Sequence, residues 1–439
     1  MEGRDVVEFL LKKGAKNLVV FDQKTAPDLA SELKKFRPRG VKFFLSKDYL
    51  SSGLTGFDLI FRSPAFRLAL PQIKAAQKKG VVVSSATKLF FNLCPGEIIA
   101  VTGTKGKGTT ATLIYQILKE AGKKVFLAGN IGRPMLFLLP KIDKNTWVVL
   151  ELSSFQLQDL TLSPHLGVVL FISSEHLDYH RSVEEYIQAK ANLVSHQNKN
   201  DLAVLNADNP ISAGFAHLTK ARVFYFSRYR KTNAAYVNQG KIYLKNKVIG
   251  PTAKLKLLGE HNWDNVCAAI TASALAGAHQ EAIKKAVFAF KGLEHRLEFV
   301  AKIKGVSFYN DSFSTTPETT IAALKAFPQS IILIAGGSDK GADFTQLGRE
   351  IASSPVRVLI LIGQMAERIQ AAAFKAGFRG KIIFRPQNMK EIVYQAFLAS
   401  RPGEVVLLSP ACASFDMFLN YKQRGQEFKK NVETLQSHS

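Results

Sequence analysis

Apolar residues in this chain gather in short β-branched runs separated by stretches with helical spacing, and the alternation continues nearly end to end. That pattern predicts an α/β protein with mostly parallel strands. Residues 5–13 read as a helix, 18–22 as a strand, 58–61 as a strand ending before Ser63-Pro64, 71–79 as a helix and 81–83 as a strand. They outline a small Rossmann-like domain, 1–94, that opens inside a helix where a doubly wound domain opens on a strand and glycine turn, so that first strand and turn are expected to be missing. From 95 to 292, strands at 98–102, 124–128, 147–152, 168–172 and 203–206 alternate with helices, predicting a P-loop ATPase-like, mostly parallel sheet. Residues 223–257 read as an inserted hairpin, and 262–276 and 279–290 as closing helices. Beyond the linker Lys291-Gly292-Leu293, strands at 331–335, 357–362, 381–384 and 405–409 predict a second Rossmann-like domain, 293–439. The fold class is therefore α/β in three domains.

Composition agrees with that division. The 439 residues suit about three domains, and 46% hydrophobic residues can fill their cores. No apolar run reaches the roughly 18 residues of a membrane span, and Glu2, Asp5 and Glu8 sit where a signal peptide needs an apolar centre; a cytoplasmic protein is expected. Cys94, Cys267 and Cys412 are far apart and lack C-x-x-C spacing, so they predict buried small hydrophobes, neither a disulfide framework nor a zinc site. The formal charge of +24 is the one oddity. Its lysines are scattered, with only short pairs such as Lys34-Lys35 and Lys429-Lys430, so a polyanionic small substrate is the expected partner and nucleic acid is not.

Candidate chemistry begins where the strand Ile98–Val101 meets a loop carrying Gly103, Gly106 and Gly108 and then a helix. Backbone N–H groups of such a loop close around phosphate oxygens at a helix N-terminus, and Lys107 can reach the outer phosphates. Gly103, Thr104, Lys105, Gly106, Lys107, Gly108, Thr109 and Thr110 thus read as a nucleotide cradle, with Thr109 offering the magnesium-ligating hydroxyl that Gly108 lacks. Glu151, ending WVVLEL, is either a magnesium ligand or an ordinary charge at a strand end. His176, Asp178 and His180 follow the next strand and offer hard ligands and a proton acceptor. Lys190, taken alone, reads as a solvated charge on a helix. Asp339 and Lys340 follow a strand and a glycine pair, Asn310, Asp311 and Ser312 follow another strand, and SPACASFDMF follows the last one. If these strand ends share a crevice, the reaction runs between domains.

Taken in order, TGTKGKGTT (102–110), GNIG (129–132), ELSSFQL (151–157), HLD (176–178), NADN (206–209), GEHNWDN (259–265), EHR (294–296), NDS (310–312), GGSDKGADF (336–344) and LLSPACASFDMFLNYKQRGQEF (407–428) resemble the Mur ligases over essentially the whole chain. The last segment discriminates most and is similar to that of the members that add D-glutamate; the phosphate loop and HLD recur across the superfamily. The resemblance implies an ATP- and magnesium-dependent amide ligase, a monomer. ATP would phosphorylate the L-alanyl carboxylate of UDP-N-acetylmuramoyl-L-alanine, and the amine of D-glutamate would displace phosphate from that acyl phosphate. It further implies that Lys107 meets the γ-phosphate, that Thr109, Glu151 and His176 hold magnesium, and that Asn262, Asn265, Arg296 and Asp311 surround the nucleotide. Lys190 matches the family's carbamylated lysine, an anionic metal ligand; Asn130 and Ser153 match UDP-substrate positions; Thr315, Lys340, Ser414 and Tyr421 match positions around D-glutamate.

Two residues depart from the family pattern. Gly108 replaces the usual Ser or Thr after the loop lysine, in a GKG[ST] form found in the related folylpolyglutamate synthetases, so tolerance is expected. Phe313 stands where many relatives have lysine in NDSKATN, removing one cation near the reacting centre. The alternative readings are another Mur ligase or a folylpolyglutamate synthetase-like ligase, and, from a different class, a non-catalytic protein that binds nucleotide or nucleic acid.

Overall fold

The computed structural model describes residues 2–173, 179–339 and 341–437. The chain forms two compact units, Met1–Leu255 with Glu260–Ala289 and Lys256–Gly259 with Phe290–Ser439.

In the first unit a wholly parallel sheet runs in the order Arg222–Phe226, Leu202–Asn206, Leu166–Val169, Glu97–Thr102, Trp147–Glu151, Val125–Gly129. Its inner strands are covered on both faces, which is why IIAV, VVL and LAVL are unbroken apolar runs. Glu97–Thr102 lies between the strands ending in Glu151 and Val169, so the phosphate loop, Glu151 and the segment after Val169 all leave the sheet at its carboxyl edge. The helices Glu2–Lys12 and Ala86–Leu93 send Val6, Ala86 and Phe90 into one buried cluster with Ala100, Val148 and Leu205.

Two small parallel pairs also belong to this unit, Val19–Asp22 with Lys42–Leu45 and Leu59–Phe61 with Val82–Ser84. Lys42–Leu45 is not singled out by the sequence pattern because its apolar run, Phe43-Phe44-Leu45, is short and alternate side chains along the strand are exposed. The hairpin expected at 223–257 forms at its centre, Ala235–Asn238 against Lys241–Leu244, and Lys247–Pro251 extends it to a three-stranded antiparallel sheet; the beginning of the range is corrected, since Arg222–Phe226 is the parallel edge strand of the large sheet. A half-buried edge strand has the same apolar pattern as a hairpin arm, and its partner Leu202–Asn206 lies across the helix Pro210–Gly214.

The second unit carries a six-stranded sheet in the order Glu298–Ile303, Val306–Asn310, Val405–Leu408, Ile331–Gly336, Val356–Ile362, Lys381–Phe384. Only the first strand is antiparallel, turning at Lys304-Gly305, whose φ values of 45° and 83° suit a two-residue hairpin. Alternate side chains serve opposite faces: Leu333, Leu359 and Leu407 pack with Leu347 and Ile369, whereas Ile332, Ile360 and Val406 pack with Ile392 and Phe428. Among the described residues no helix is long and apolar enough to cross a membrane.

Candidate active site

The phosphate loop owes its shape to two glycines. Gly103 has φ 154°, and a Cβ there would lie 2.7 Å from Leu170 Cβ; Gly106 has φ 85°, and its Cβ would lie 2.1 Å from Asn265 Oδ1. Neither position accepts a side chain without displacement. Thr104 pins the loop from the other side: its N–H donates to the Phe171 carbonyl (2.8 Å), and its Oγ1 accepts from the Ser173 N–H (2.9 Å) and lies 3.0 Å from the Tyr186 hydroxyl. Gly106 caps the helix Lys107–Glu120, whose first turn holds Gly108, Thr109 and Thr110 buried, while Lys105 is exposed. The loop therefore ends in a helix N-terminus, whose leading amides have no acceptor within the helix and suit phosphate.

Two lysines converge on it. Lys107 Nζ donates to the carbonyls of Gly103 (3.0 Å) and Thr104 (2.9 Å). Lys190, only 1% exposed, donates to the same Gly103 carbonyl (2.8 Å) and lies 4.6 Å from the centroid of the Tyr186 ring. The two ammonium nitrogens are thus closer together than the sum of their distances to that oxygen. Lys190 and Tyr186 are four residues apart on the helix Val183–Ser195, capped by Ser182 Oγ accepting the Glu185 N–H (3.2 Å), and so share one face. This placement overturns the reading of Lys190 as a solvated charge. Tyr186, which the sequence reading did not single out, carries one signal in retrospect: it precedes Lys190 by one helical turn.

Glu151 is buried at the end of its strand, and its carbonyl accepts the Asn130 N–H (3.0 Å), so Glu151 and Asn130 meet through the backbone. Ser153 caps the short helix Ser154–Leu157 in a reciprocal box with Gln156. Asn265 bridges Thr110 Oγ1 (3.3 Å) and Asn262 Oδ1 (2.8 Å), joining the helix His261–Leu275 to the loop helix. Beside them Asp264, 3.3 Å from Arg228 Nε, is pushed up to about 6 by burial, and burial first, then Arg228 and Lys105, hold His261 below the usual imidazole range. His176 and Asp178 lie outside the described residues; His180 stacks on Phe155 at 5.6 Å, its Nε2 2.9 Å from Ser154 Oγ. Among the described residues no three His, Cys, Asp or Glu side chains gather as a metal cluster. Glu151 and the Thr109 hydroxyl are hard oxygen donors that suit magnesium, which ordinarily takes few protein ligands and completes its shell with water and phosphate.

In the second unit the corresponding strand ends are organised by buried polar side chains. Asp311 accepts from Ser409 Oγ (2.8 Å), Ser314 Oγ and the Leu297 N–H (3.1 Å), and burial outweighs these bonds, pushing its carboxyl up to about 6. Arg424, fully buried, donates to Ser312 Oγ (3.0 Å) and to the carbonyls of Ser312 (2.9 Å), Cys412 (3.1 Å) and Ala413 (3.3 Å). It fastens the segment after Val306–Asn310 to the segment after Val405–Leu408 and so brings Thr315, Ser414 and Tyr421 onto one framework; Arg296 is exposed beside it, and Lys340 lies outside the described residues. Arg424 lies in the last segment quoted for the resemblance, but the sequence reading gives it no role of its own.

Two family models match these regions, the Mur ligase middle domain over residues 101–273 and the Mur ligase glutamate ligase domain over residues 295–412. A UDP-N-acetylmuramoylalanine–D-glutamate ligase of Acetivibrio thermocellus is 41% identical over 444 residues, covering 98% of this chain and 94% of that protein. The chain belongs to the Mur ligase family. A ligase of the same name from Symbiobacterium thermophilum is 40% identical, covering 98% of this chain and 95% of its own. Among solved structures, the UDP-N-acetylmuramate–alanine ligase of Thermotoga maritima matches with a TM-score of 0.59 at 18% identity, covering 99% of this chain and 96% of that one. MurF from Acinetobacter baumannii matches at 0.62 and 17%, covering 85% and 90%. The Mur ligase fold is thus present in both units, and as a Mur ligase the chain is an ATP-dependent ligase.

Proposed function

We propose that this Mur ligase joins D-glutamate to UDP-N-acetylmuramoyl-L-alanine during peptidoglycan precursor synthesis, in the cytoplasm and as a monomer. The observation that carries this reading is the 41% identity to a D-glutamate ligase over 98% of the chain. ATP transfers its γ-phosphoryl group to the L-alanyl carboxylate; the D-glutamate amine then attacks the acyl phosphate, forming the amide as phosphate leaves and the amine loses a proton. The loop from Gly103 to Thr110 cradles the phosphates with amides other than those of Thr104 and Thr110, which bond the Phe171 and Gly106 carbonyls, Lys107 neutralises the γ-phosphate, and Asn262, Asn265, Arg296 and Asp311 surround the nucleotide. Asn130 and Ser153 face the UDP substrate, while Thr315, Lys340, Ser414 and Tyr421 face D-glutamate. We retain the functional division into 1–94, 95–292 and 293–439 for the UDP substrate, ATP and the amino acid.

Thr109, Glu151, His176 and a carbamylated Lys190 would hold magnesium, which when bound neutralises phosphate charge. Two ammonium groups on one carbonyl oxygen repel each other in a site shielded from water. If the neutral Lys190 amine adds to carbon dioxide and releases a proton, the cation becomes an anion and that repulsion becomes attraction. The test is phosphate release from ATP with purified protein, magnesium and UDP-N-acetylmuramoyl-L-alanine, comparing D-glutamate, L-glutamate, L-lysine and no amino acid, with and without bicarbonate. Release that requires both the UDP substrate and D-glutamate is the expected result, and bicarbonate should stimulate it; release with L-lysine instead would sink the substrate assignment.

A further inference from the structure

The ring of Phe313 does something specific in this chain. Phe313 is 41% exposed although Ser312 and Ser314 on either side of it are buried. Its N–H donates to the His295 carbonyl (2.9 Å), which fixes the backbone beneath the ring. The Tyr421 ring meets it edge-on, with centroids 5.2 Å apart at 89°, and Tyr421 is itself held because its carbonyl accepts Ser312 Oγ (2.8 Å). Against this braced ring lies Arg296, its guanidinium carbon 4.5 Å from the Phe313 centroid.

Arg296 is exposed and, among the described residues, no ion pair with a carboxylate is formed by it, although its charge acts on Asp311. An exposed arginine held in no ion pair ordinarily samples many rotamers, and ordering it on binding costs side-chain entropy. An aromatic face restrains the guanidinium plane and leaves its N–H fork open for an oxyanion. A lysine at 313 would repel Arg296 from the same place; phenylalanine holds it there.

We propose that Phe313 is a positioning residue that presets Arg296 as a receptor for a substrate oxyanion, either a phosphate of ATP or a carboxylate of D-glutamate. The proposal rests on the ligase reading above. Its role is exerted through Arg296, so Phe313→Leu and Arg296→Gln should each raise the KM of the same substrate, Phe313→Leu by roughly two- to fivefold with kcat little changed and Arg296→Gln by more, with any loss of kcat confined to Arg296→Gln. The double variant should be no worse than Arg296→Gln alone, and Phe313→Tyr, which restores a ring, should recover most of the loss. A KM effect confined to ATP assigns the phosphate, and one confined to D-glutamate assigns the carboxylate. Unchanged KM for both substrates in Phe313→Leu, or effects that multiply in the double variant, would overturn the proposal. Calorimetric titration of ADP and of D-glutamate into the same proteins reads the coupling without turnover, so failure of the ligase reading and failure of the Phe313 assignment are separable.

Discussion

Lys190 and Arg424 are both fully buried cations bonded to main-chain carbonyls at the carboxyl end of a parallel sheet, yet they are held in opposite ways. Arg424 spreads its fork over four acceptors between 2.9 and 3.3 Å away and ties two loops together; burial lowers its pKa to about 10, which still leaves it charged at neutral pH. Lys190 shares the Gly103 carbonyl with a second ammonium, that of Lys107. A cation whose bonds tie loops together is a structural fastener, whereas one that shares an acceptor with a second ammonium at a phosphate loop is placed for chemistry. Burial of a charge therefore does not say what the charge is for; its neighbours do.

Exchanging each cation for methionine tests the contrast most directly. Lys190→Met should lower the rate of phosphate release by about a thousandfold, roughly 4 kcal/mol in barrier, while its unfolding midpoint should fall less than that of Arg424→Met, because relief of the repulsion with Lys107 offsets part of the lost hydrogen bond to Gly103 and contact with Tyr186. Arg424→Met should lower unfolding free energy by on the order of 3 kcal/mol, since the carbonyls of Ser312, Cys412 and Ala413 lose a charged donor in a buried site. Urea unfolding beside initial rates separates the two signatures. An inactive but fully stable Arg424→Met would mean that the two cations do not divide as argued.

The phosphate loop was legible in the sequence because its constraints are local: Gly103, Gly106 and Lys107 sit within five residues of one another, and the backbone does the work. The same holds for the inner strands, whose apolar runs announce burial on both faces. Arg424 was invisible because its meaning lies in Ser312, 112 residues away, and Lys190 read as a solvated charge because its partner Gly103 is 87 residues away. The edge strands Lys42–Leu45 and Arg222–Phe226 failed for a related reason, half-exposed patterns that fit more than one pairing.

A smaller effect should come from the loop itself. Gly106→Ala places a Cβ on Asn265 Oδ1 and a non-glycine residue at φ 85°, a strain of about 1–2 kcal/mol that should appear as roughly tenfold weaker ADP binding by fluorescence titration. Asn265 is itself assigned to the nucleotide, so the comparison is with Asn265→Ala alone: against that variant the added Gly106→Ala has lost the overlap but kept the φ strain, and nucleotide binding should recover only in part. Complete recovery would place the whole effect in the side-chain clash and none in the loop conformation.

The strand-end carboxylate of the second unit offers the subtlest comparison, because its environment acts through pH. Burial raises the Asp311 carboxyl from 3.8 to about 6, so between those values the folded chain keeps a proton that the unfolded chain has released. Protons bound in excess by the folded state mean that stability falls as pH rises through this window and levels off above it. The decline attributable to Asp311 between pH 5 and pH 7 should be about 1 kcal/mol. Asp311→Asn cannot ionise, so urea unfolding of that variant should show a shallower decline over the same interval than the wild type, whatever its absolute stability. Parallel declines would mean that Ser409, Ser314 and the Leu297 N–H stabilise the carboxylate enough to cancel its burial, and the second site would then resemble the phosphate loop in favouring negative charge.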